Sequence, residues 1–285
     1  MNSDTIAAAE PDWRAWVGRK ETTREPVSPE RVAALGATLG VEGDYSVGAP
    51  LPAGWHWIFF NPFAPRQGLG TDGHPRRGGF LPPVSLPRRM WAGGRLAHDR
   101  PLIIGGQGVR ESTIEKIEAK SGRAGKLVFV TVRHSIACDG VACVTEQQDI
   151  VYREAAAPGA PAAPPAAAPR DPAWSEAFRP DTVLLFRYSA LTSNGHRIHY
   201  DQDYARREEN YPDLVVHGPL IATLLQGFAV AHAGGPLKRF EFRGMSPLFV
   251  DSAFTLEGKA GDGGALDLWA RGPNGELAMR ATAEF

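Results

Sequence analysis

The sequence predicts an α+β protein made of two similar halves, and three observations lead to that class. Glycine (32 residues) and proline (24) are abundant in a chain of 285, which favours many turns and short strands over a helical bundle. A stretch of alternating alanine and proline divides the chain in two. On each side of it a helix pattern precedes a run of strand patterns, so we expect one buried helix wrapped by a long antiparallel sheet, present twice.

The dividing stretch covers residues 155–172 and carries almost no side chain able to join a core. Its proline content favours an extended spacer. We therefore predict an N-terminal domain at residues 1–154, a linker at 155–172 and a C-terminal domain at 173–285, with both domains of ordinary size.

The first half contains one clear helix signal. Ser28 stands at the N-cap, Pro29 occupies the first helical position and Gly40 provides the stop. The apolar residues between them recur at helical spacing. A helix is therefore predicted from Pro29 to the residue before Gly40.

The rest of the first half predicts strands. Three long strands in meander order are expected near residues 114–119, 126–133 and 144–152, with a turn at Asp139-Gly140 before the last one. Cys138 and Cys143 flank that turn. Two thiols in a hairpin are expected instead of a disulfide framework.

The second half predicts a short strand at Val183–Phe186 and an apolar helix at Leu220–Ala231. The step His217-Gly218-Pro219 sets the start of that helix. Four further strands are predicted at residues 240–243, 253–259, 265–270 and 277–282.

Charge and hydropathy limit the classes of partner. The formal net charge is −1, so the chain has no basic excess to neutralise a phosphate backbone, and nucleic acid is not expected as a ligand. No run of about 18 apolar residues occurs, and the first residues lack the pattern of a secretory signal. We predict a soluble, cytoplasmic protein with no membrane partner.

Residues 186–220 concentrate the groups that carry chemistry. Three of the eight histidines fall there: His196, His199 and His217. Imidazole is the natural proton carrier near neutral pH, and Asn194, five positions before His199, could hold the water or substrate. The Gly218-Pro219 step leaves backbone N–H groups at a helix N-terminus, where they would stabilise an oxyanion.

This stretch resembles the MaoC-like hydratases and dehydratases of the hot-dog fold. Their signature is Asp-x-Asn-Pro-x-His-x-Asp, followed by Tyr-Ala or Phe-Ala and, some fifteen residues later, His-Gly. The matching segments here are 194–201, 204–205 and 217–218. The resemblance implies that His199 is the catalytic histidine and that Gly218 supplies the oxyanion hole.

The chain departs from that signature at its first position, where Asn194 stands for the usual catalytic Asp. It resembles the branch that contains the mesaconyl-C4-CoA (3-methylfumaryl-CoA) hydratases, the itaconyl-CoA hydratases and the mitochondrial type 2 hydroxyacyl-thioester dehydratases. Segments of the first half also match, at residues 69–75, 80–84, 86–94 and 146–153. The resemblance implies a double hot-dog in which the C-terminal half is catalytic and the N-terminal half binds the acyl chain or coenzyme A.

The implied activity is reversible hydration of an α,β-unsaturated acyl-CoA, preferably a branched C5 dicarboxylyl thioester such as mesaconyl-C4-CoA or itaconyl-CoA, giving citramalyl-CoA. On this hypothesis Asn194 orients the water, His199 takes its proton and returns it to Cα, and the Gly218 N–H holds the enolate oxygen. The alternatives are a 3-hydroxyacyl-thioester dehydratase of fatty acid synthesis, a catalytically silent acyl-CoA-binding module, and a thioesterase.

Several residues are candidates for binding the substrate. His217 is one, with a role in orienting the Gly218 amide, and Arg243 is another. Guanidinium groups suit both the phosphates of coenzyme A and a free carboxylate, although a solvated charged surface explains them equally well. The arginines in question are Arg76, Arg77, Arg88 and Arg89.

No cofactor is expected beyond the coenzyme A of the substrate, and no metal. The triplet Asp72-Gly73-His74 has metal-ligating side chains but no partner ligand at a suitable spacing, so it is interpreted as a glycine-rich turn. Two hot-dog halves in one chain already form a pseudo-dimer, which leaves monomer and homodimer both open.

Overall fold

Antiparallel strands dominate the structure, a computed structural model that describes residues 12–61, 63–122, 125–155 and 164–285. The strands are β1 (Lys20–Pro26), β2 (Arg88–His98), β3 (Gln107–Gly122), β4 (Gly125–Cys138), β5 (Val141–Arg153), β6 (Trp174–Phe178), β7 (Arg239–Gly244), β8 (Phe254–Ala260), β9 (Leu266–Arg271) and β10 (Leu277–Glu284). The helices are α1 (Pro29–Leu39), α2 (Thr182–Leu191), α3 (Gln202–Arg207) and α4 (Gly218–Ala233).

Within the described residues the strands form one ten-stranded sheet, in the order β1-β3-β4-β5-β2-β7-β10-β9-β8-β6. The first five belong to the N-terminal half and the last five to the C-terminal half. The predicted meander β3-β4-β5 is confirmed, and its last turn uses positive φ at Asp139 (48°) and Gly140 (79°). Cys138 and Cys143 are buried free thiols on either side of that turn, as predicted.

The two halves meet where β2 pairs with β7. Gly93 lies opposite Arg243 and Gly94 opposite Phe242. A Cβ atom built at Gly93 would overlap the carbonyl oxygen of Phe242, so the backbones approach too closely for any side chain there. Glycine at position 93 is therefore a condition for joining the two half-sheets into one layer.

The core of the C-terminal half is helix α4, which packs against strands β7 to β10. Pro219 lies in its first turn and Gly234 ends it in the left-handed conformation (φ 70°). Its buried residues include Leu220, Leu225 and Phe228, which lie in the main hydrophobic core. The predicted apolar helix is confirmed, and its N-terminus is held firmly within the core.

Helix α1 forms as predicted but packs differently from α4. The Ser28 hydroxyl accepts the Arg31 N–H (3.3 Å), and Gly40 ends the helix at φ 69°. Its contacts are mainly with α2 and with the 3-10 turn Trp55–Ile58. Much of the N-terminal sheet is covered instead by the irregular segment at 80–86, whose buried apolar residues pack on β3, β4 and β5.

One predicted strand is wrong: Val183–Phe186 lies inside helix α2. The side chain of Asp181 accepts the Leu184 N–H (2.7 Å) and caps the helix, and burial at 184, 185, 188 and 189 follows helical spacing. The short apolar run fits either structure, and the cap decides between them. Strand β2 was not predicted, because it lies within a segment dense in glycine and proline.

The predicted linker is described only in part, since residues 156–163 lie outside the described ranges. One residue of its last part reaches a small apolar cluster. Ala168 is buried with Trp269 and Leu277, and its N–H donates to the Gly275 carbonyl (2.9 Å). The domain boundaries themselves remain predictions. In the described ranges, none of the helices has the length and apolar character that a membrane span requires.

The close approach at the junction leads to a stability prediction. Gly93→Ala should lower the free energy of unfolding by about 1–3 kcal/mol or more, because β2 and β7 must separate to admit the methyl group. Gly244→Ala, on β7 itself, is the matched control, because its Cβ would lie at an ordinary 3.6 Å from the Ala92 carbonyl oxygen. Urea unfolding followed by circular dichroism measures both. Equal midpoints for the two variants would contradict the proposed steric role.

Candidate active site

His199 lies at the centre of a cluster of histidine rings. It ends the 3-10 turn Arg197–His199 and is 7% exposed. Its ring stacks on that of His217 with centroids 3.7 Å apart, and the ring of His196 lies 5.6 Å away, edge to face. The structure therefore brings together the three histidines that the sequence singled out.

The tautomer of His199 is set by one hydrogen bond. A backbone carbonyl can only accept, so the Nδ1–H donates to the Val215 oxygen (2.7 Å) and Nε2 carries the free lone pair. Burial lowers the pKa of His199 to about 4, an effect that the Val215 bond opposes and that nearby His74 adds to. At neutral pH the His199 side chain is therefore an uncharged base. Its Nε2 can accept a proton, because the bond to Val215 uses Nδ1.

His217 and Gly218 form the mouth of helix α4. His217 occupies the N-cap position but makes no side-chain cap bond, so the first turn keeps free backbone donors. A Cβ atom built at Gly218 would meet no atom within 4 Å, so open space lies beside the helix N-terminus. A partial positive charge and free donors beside open space are the features of an oxyanion site.

His217 is fully buried, and only one of its two ring nitrogens has a hydrogen-bond partner among the described residues. Its Nε2 lies 2.8 Å from the Ser189 hydroxyl, while within the described residues its Nδ1 has no hydrogen-bond partner. Burial and the neighbouring His199 and His196 hold its pKa well below the usual range. An unpaired buried nitrogen costs about 1–3 kcal/mol, so it marks a place where a bound molecule would complete the bonding.

Asn194 serves first as a turn residue. Its Oδ1 accepts the His196 N–H (3.0 Å), and its own N–H donates to the Ser189 carbonyl (2.9 Å). The side-chain oxygen is therefore occupied by the loop that carries His196 and His199. The amide nitrogen and the second lone pair of Oδ1 remain to orient a water.

The N-terminal half adds two groups that sequence reasoning set aside. The ring of His74 lies 4.2 Å from that of His196, and His74 is hydrogen-bonded to Asp72 (3.1 Å). Burial raises the pKa of Asp72, but the side-chain and backbone bonds from His74 outweigh it and hold the pKa well below the usual range. Burial lowers the pKa of His196 to about 2 and also lowers that of His74.

The interpretation of Asp72-Gly73-His74 as a triplet without a partner ligand is therefore corrected, because the missing partner comes from the other half. Donor atoms of Asp72, His74 and His196 lie within 4.8 Å of one another. No sequence spacing could reveal this, since more than a hundred residues separate His196 from the triplet.

The candidate arginines border one cavity. It has a volume of about 600 Å³ and lies between the two halves; its lining includes Asp72, Tyr204 and the four arginines Arg76, Arg77, Arg88 and Arg89. His199, Asn194 and Gly218 do not line it. The cavity reaches the histidine cluster only through Asp72, which is bonded to His74.

The arginines of the cavity differ in how far they are engaged. Arg88 forms an ion pair with Glu209 and donates to the Glu208 carbonyl, so its charge is neutralised and it clamps β2 to the loop after α3. Arg77 donates to the carbonyls of Val84 and Pro87 (both 2.6 Å). Among the described residues Arg76, Arg77 and Arg89 form no ion pair; Arg76 and Arg77 donate to backbone carbonyls, which leaves Arg89, beside the Tyr152 hydroxyl, as the candidate to take an anion.

Arg243 is not part of this group. It lies on β7 next to Phe242, whose side chain faces the core, and strand alternation turns Arg243 to the opposite, exposed face of the sheet. The structure therefore separates it from the histidine cluster.

With the site described, comparison with known proteins identifies the family. The family described as hydroxyacyl-thioester dehydratase type 2 matches residues 54–250. The chain belongs to the type 2 hydroxyacyl-thioester dehydratase family. One relative is the mesaconyl-C(4)-CoA hydratase of Chloroflexus aurantiacus, which is 47% identical to this chain over 275 residues. The aligned region covers 96% of this chain and 98% of that protein. The mitochondrial type 2 hydroxyacyl-thioester dehydratase of Schizosaccharomyces pombe is 32% identical, covering 72% of this chain and 77% of that protein.

Solved structures place this family member in the double hot-dog fold. A MaoC-like dehydratase superposes with a TM-score of 0.70 at 17% identity, covering 95% of this chain and 98% of that chain. A double-hotdog protein of Mycobacterium tuberculosis superposes with a TM-score of 0.56 at 13% identity, covering 94% and 96%. The predicted α+β double hot-dog is confirmed.

The buried histidines predict how stability depends on pH. Their pKa values are lowered in the folded state, so below about pH 6.5 the unfolded chain binds more protons, and the free energy of unfolding should fall as the pH decreases towards about 4. Each such histidine contributes up to about 1.4 kcal/mol per pH unit. Urea midpoints at pH 7.5, 6 and 5 measure the trend. His196→Asn should flatten it, whereas His232→Asn, at the far end of α4, should not; midpoints independent of pH would refute the prediction.

Proposed function

We propose that this protein catalyses the reversible hydration of an α,β-unsaturated acyl-CoA thioester. The observation that carries the proposal is the state of His199, a buried, uncharged imidazole whose Nδ1 is committed to Val215 and whose ring stacks against the residue that caps α4. A base of this kind beside a helix N-terminus suits the addition of water to a double bond conjugated with a carbonyl.

In the proposed reaction, Nε2 of His199 removes a proton from water while the water oxygen bonds to Cβ. The electrons of the double bond move onto the thioester oxygen, and the Gly218 N–H stabilises the enolate that forms. In the simplest form of the reaction His199 then returns that proton to Cα, and the carbonyl is restored. Asn194 holds the water through its side-chain amide, whose orientation is fixed by the bond from the His196 N–H to Oδ1.

The preferred acyl group in this proposal is a C5 dicarboxylyl thioester, mesaconyl-C4-CoA or itaconyl-CoA, with citramalyl-CoA as product. The relative that is 47% identical over nearly the whole chain is named for the first of these substrates. A second carboxylate needs a cation, and Arg89 in the cavity is free of ion pairs with the described residues. Coenzyme A enters as part of the substrate, with no other cofactor or metal required.

The remaining features of the proposal follow from the fold. A pseudo-dimer within one chain permits a monomer or a homodimer, and we propose a cytoplasmic location. Arg88 and His217 take positioning roles, Arg88 through Glu209 and His217 through the mouth of α4. Arg243, on the outer face, has no part in it.

The activity is tested with three substrates. Purified protein is incubated with mesaconyl-C4-CoA, itaconyl-CoA and crotonyl-CoA while enoyl absorbance and free thiol are recorded. We expect enoyl absorbance to fall without thiol release, fastest with a dicarboxylyl substrate. Preference for crotonyl-CoA would favour the alternative of a 3-hydroxyacyl-thioester dehydratase, and the S. pombe relative is named as a hydroxyacyl-thioester dehydratase. Release of thiol would indicate a thioesterase, and no change with any substrate would indicate a silent binding module.

His199→Ala should lower kcat by about 10²–10⁴, because the side chain removes the proton from water, while KM changes little. His232→Ala removes a histidine far from the cluster and serves as the control. Single-turnover and steady-state rates, with circular dichroism as a check on folding, measure the effect. Comparable turnover by the His199 variant would end the proposed mechanism.

Arg89→Met should raise KM by about tenfold or more, equivalent to about 1.4 kcal/mol of lost binding, with kcat affected less. The comparison of substrates locates the contact. A rise confined to dicarboxylyl substrates assigns Arg89 to the second carboxylate, whereas a rise with crotonyl-CoA as well assigns it to coenzyme A. Arg243→Met, on the outer face, is the matched control. An unchanged KM for all three substrates would remove Arg89 from the binding site.

A further inference from the structure

The N-terminal half places a carboxylate–imidazole pair beside the catalytic cluster. The Nδ1–H of His74 donates to one carboxylate oxygen of Asp72 (3.1 Å), and the His74 backbone N–H donates to the other (3.0 Å). A carboxylate in this state only accepts, so Nδ1 of His74 keeps its proton and Nε2 is the nitrogen left to bind or release one. The pair therefore has the arrangement of a histidine that is oriented by an acid and ready to exchange a proton.

Backbone contacts fix the position of this pair against the loop of His196 and His199. A Cβ atom at Gly73 would overlap the carbonyl oxygen of Gly195, and one at Gly195 would lie 2.7 Å from the Gly73 oxygen. The Arg197 N–H donates to the Asp72 carbonyl (2.9 Å), and the Arg197 guanidinium donates to that of Thr71 (3.1 Å). The two loops can come this close only because Gly73 and Gly195 face each other without side chains. The Asp72–His74 pair is therefore held in a fixed position against the loop of His196 and His199.

The substrate cavity leads to the same pair. Asp72 lines the cavity together with Arg89, whereas His199 does not. An acyl-CoA whose anionic groups occupy the arginines would therefore lie beside Asp72, the carboxylate that is hydrogen-bonded to His74.

The C-terminal motif lacks one titratable group, and this pair can supply it. Members of the signature carry an Asp where this chain has Asn194, and an amide exchanges no proton. The oxygen of Asn194 is also occupied by the His196 N–H. Within the C-terminal half, proton delivery to Cα therefore falls to His199 alone, which must return the proton that it took from water.

We propose that His74, oriented by Asp72, is the second proton-transfer group of the hydration, an inference that rests on the function proposed above. His199 takes one proton from water as its oxygen bonds to Cβ, and the electrons of the double bond pass to the thioester oxygen. The imidazolium form of His74 then gives its Nε2 proton to Cα, and the carbonyl re-forms. One proton is taken and one is given, and the proton on His199 returns to His74 through solvent before the next cycle.

The charges around His74 agree with this role. Asp72 stabilises the imidazolium form, while Arg89, Arg77 and the ring of His196 disfavour it, so the proton is held loosely enough to be given away. The same three donors could hold a divalent cation, since they lie within 4.8 Å of one another. The two guanidinium groups that act on His74 make a dication costly there, and the proton-transfer role is favoured.

The test removes the imidazole and then returns it. His74→Ala should lower kcat for the preferred enoyl-CoA by about 10²–10⁴ with little change in KM, and added imidazole should restore part of the rate, increasingly for derivatives that are stronger proton donors. Asp72→Asn should lower kcat by a smaller factor and shift the pH profile. His232→Ala is the matched control, and His74→Gln replaces the alanine variant if that one fails to fold.

Four outcomes decide the matter. A kcat within tenfold of wild type for His74→Ala, or a loss that no imidazole derivative relieves, would overturn the inference. Stoichiometric zinc in the wild type that is lost together with activity on chelation, and absent from His74→Ala, would overturn it in favour of a metal site. A large loss with rescue supports it. If the wild type hydrates none of the three substrates, the proposed function fails first, which distinguishes the two failures.

Discussion

The pairing of β2 with β7 is the constraint on which the rest of the structure depends. It joins two half-sheets edge to edge, and the backbones approach so closely that Gly93 admits no side chain. Because the pairing fixes the two halves relative to each other, the loop at 71–74 of the first half reaches the loop at 194–197 of the second. The contacts between the Asp72–His74 pair and the histidine cluster therefore depend on how β2 and β7 are aligned.

The site then combines two kinds of electrostatic environment. Helix α4 provides a partial positive charge and free backbone donors at Gly218, where an oxyanion would be stabilised. The histidine rings are buried deeply enough to be uncharged at neutral pH, so they act as bases and not as fixed cations. Charged groups are kept to the cavity, where the arginines are already partly engaged by carbonyls and carboxylates of the protein.

The two halves differ in how their sheets are covered. The C-terminal half has the long buried helix and the catalytic signature, as expected. The N-terminal half has a short helix that packs away from most of its sheet, and an irregular segment replaces the helix as the cover. The loop that precedes it, at residues 70–77, supplies part of the cavity wall and the Asp72–His74 pair. Loss of regular structure in one half thus accompanies its contribution of side chains to the other half's chemistry.

The sequence alone determined the features that depend on neighbouring residues. The cap and stop of α1, the apolar helix α4, the meander of β3 to β5 and the order of His199 and Gly218 all arise from local spacing, which the chain carries in its covalent order. The prediction of a strand at Val183–Phe186 was wrong, because a short apolar run fits a strand or a helix equally well. The tertiary structure alone decided which distant groups meet: that His74 lies against His196, that Glu209 neutralises Arg88, and that Arg243 faces outward. Such contacts depend on the registration of two sheets and on the approach of two glycine loops, and no spacing within one segment encodes them.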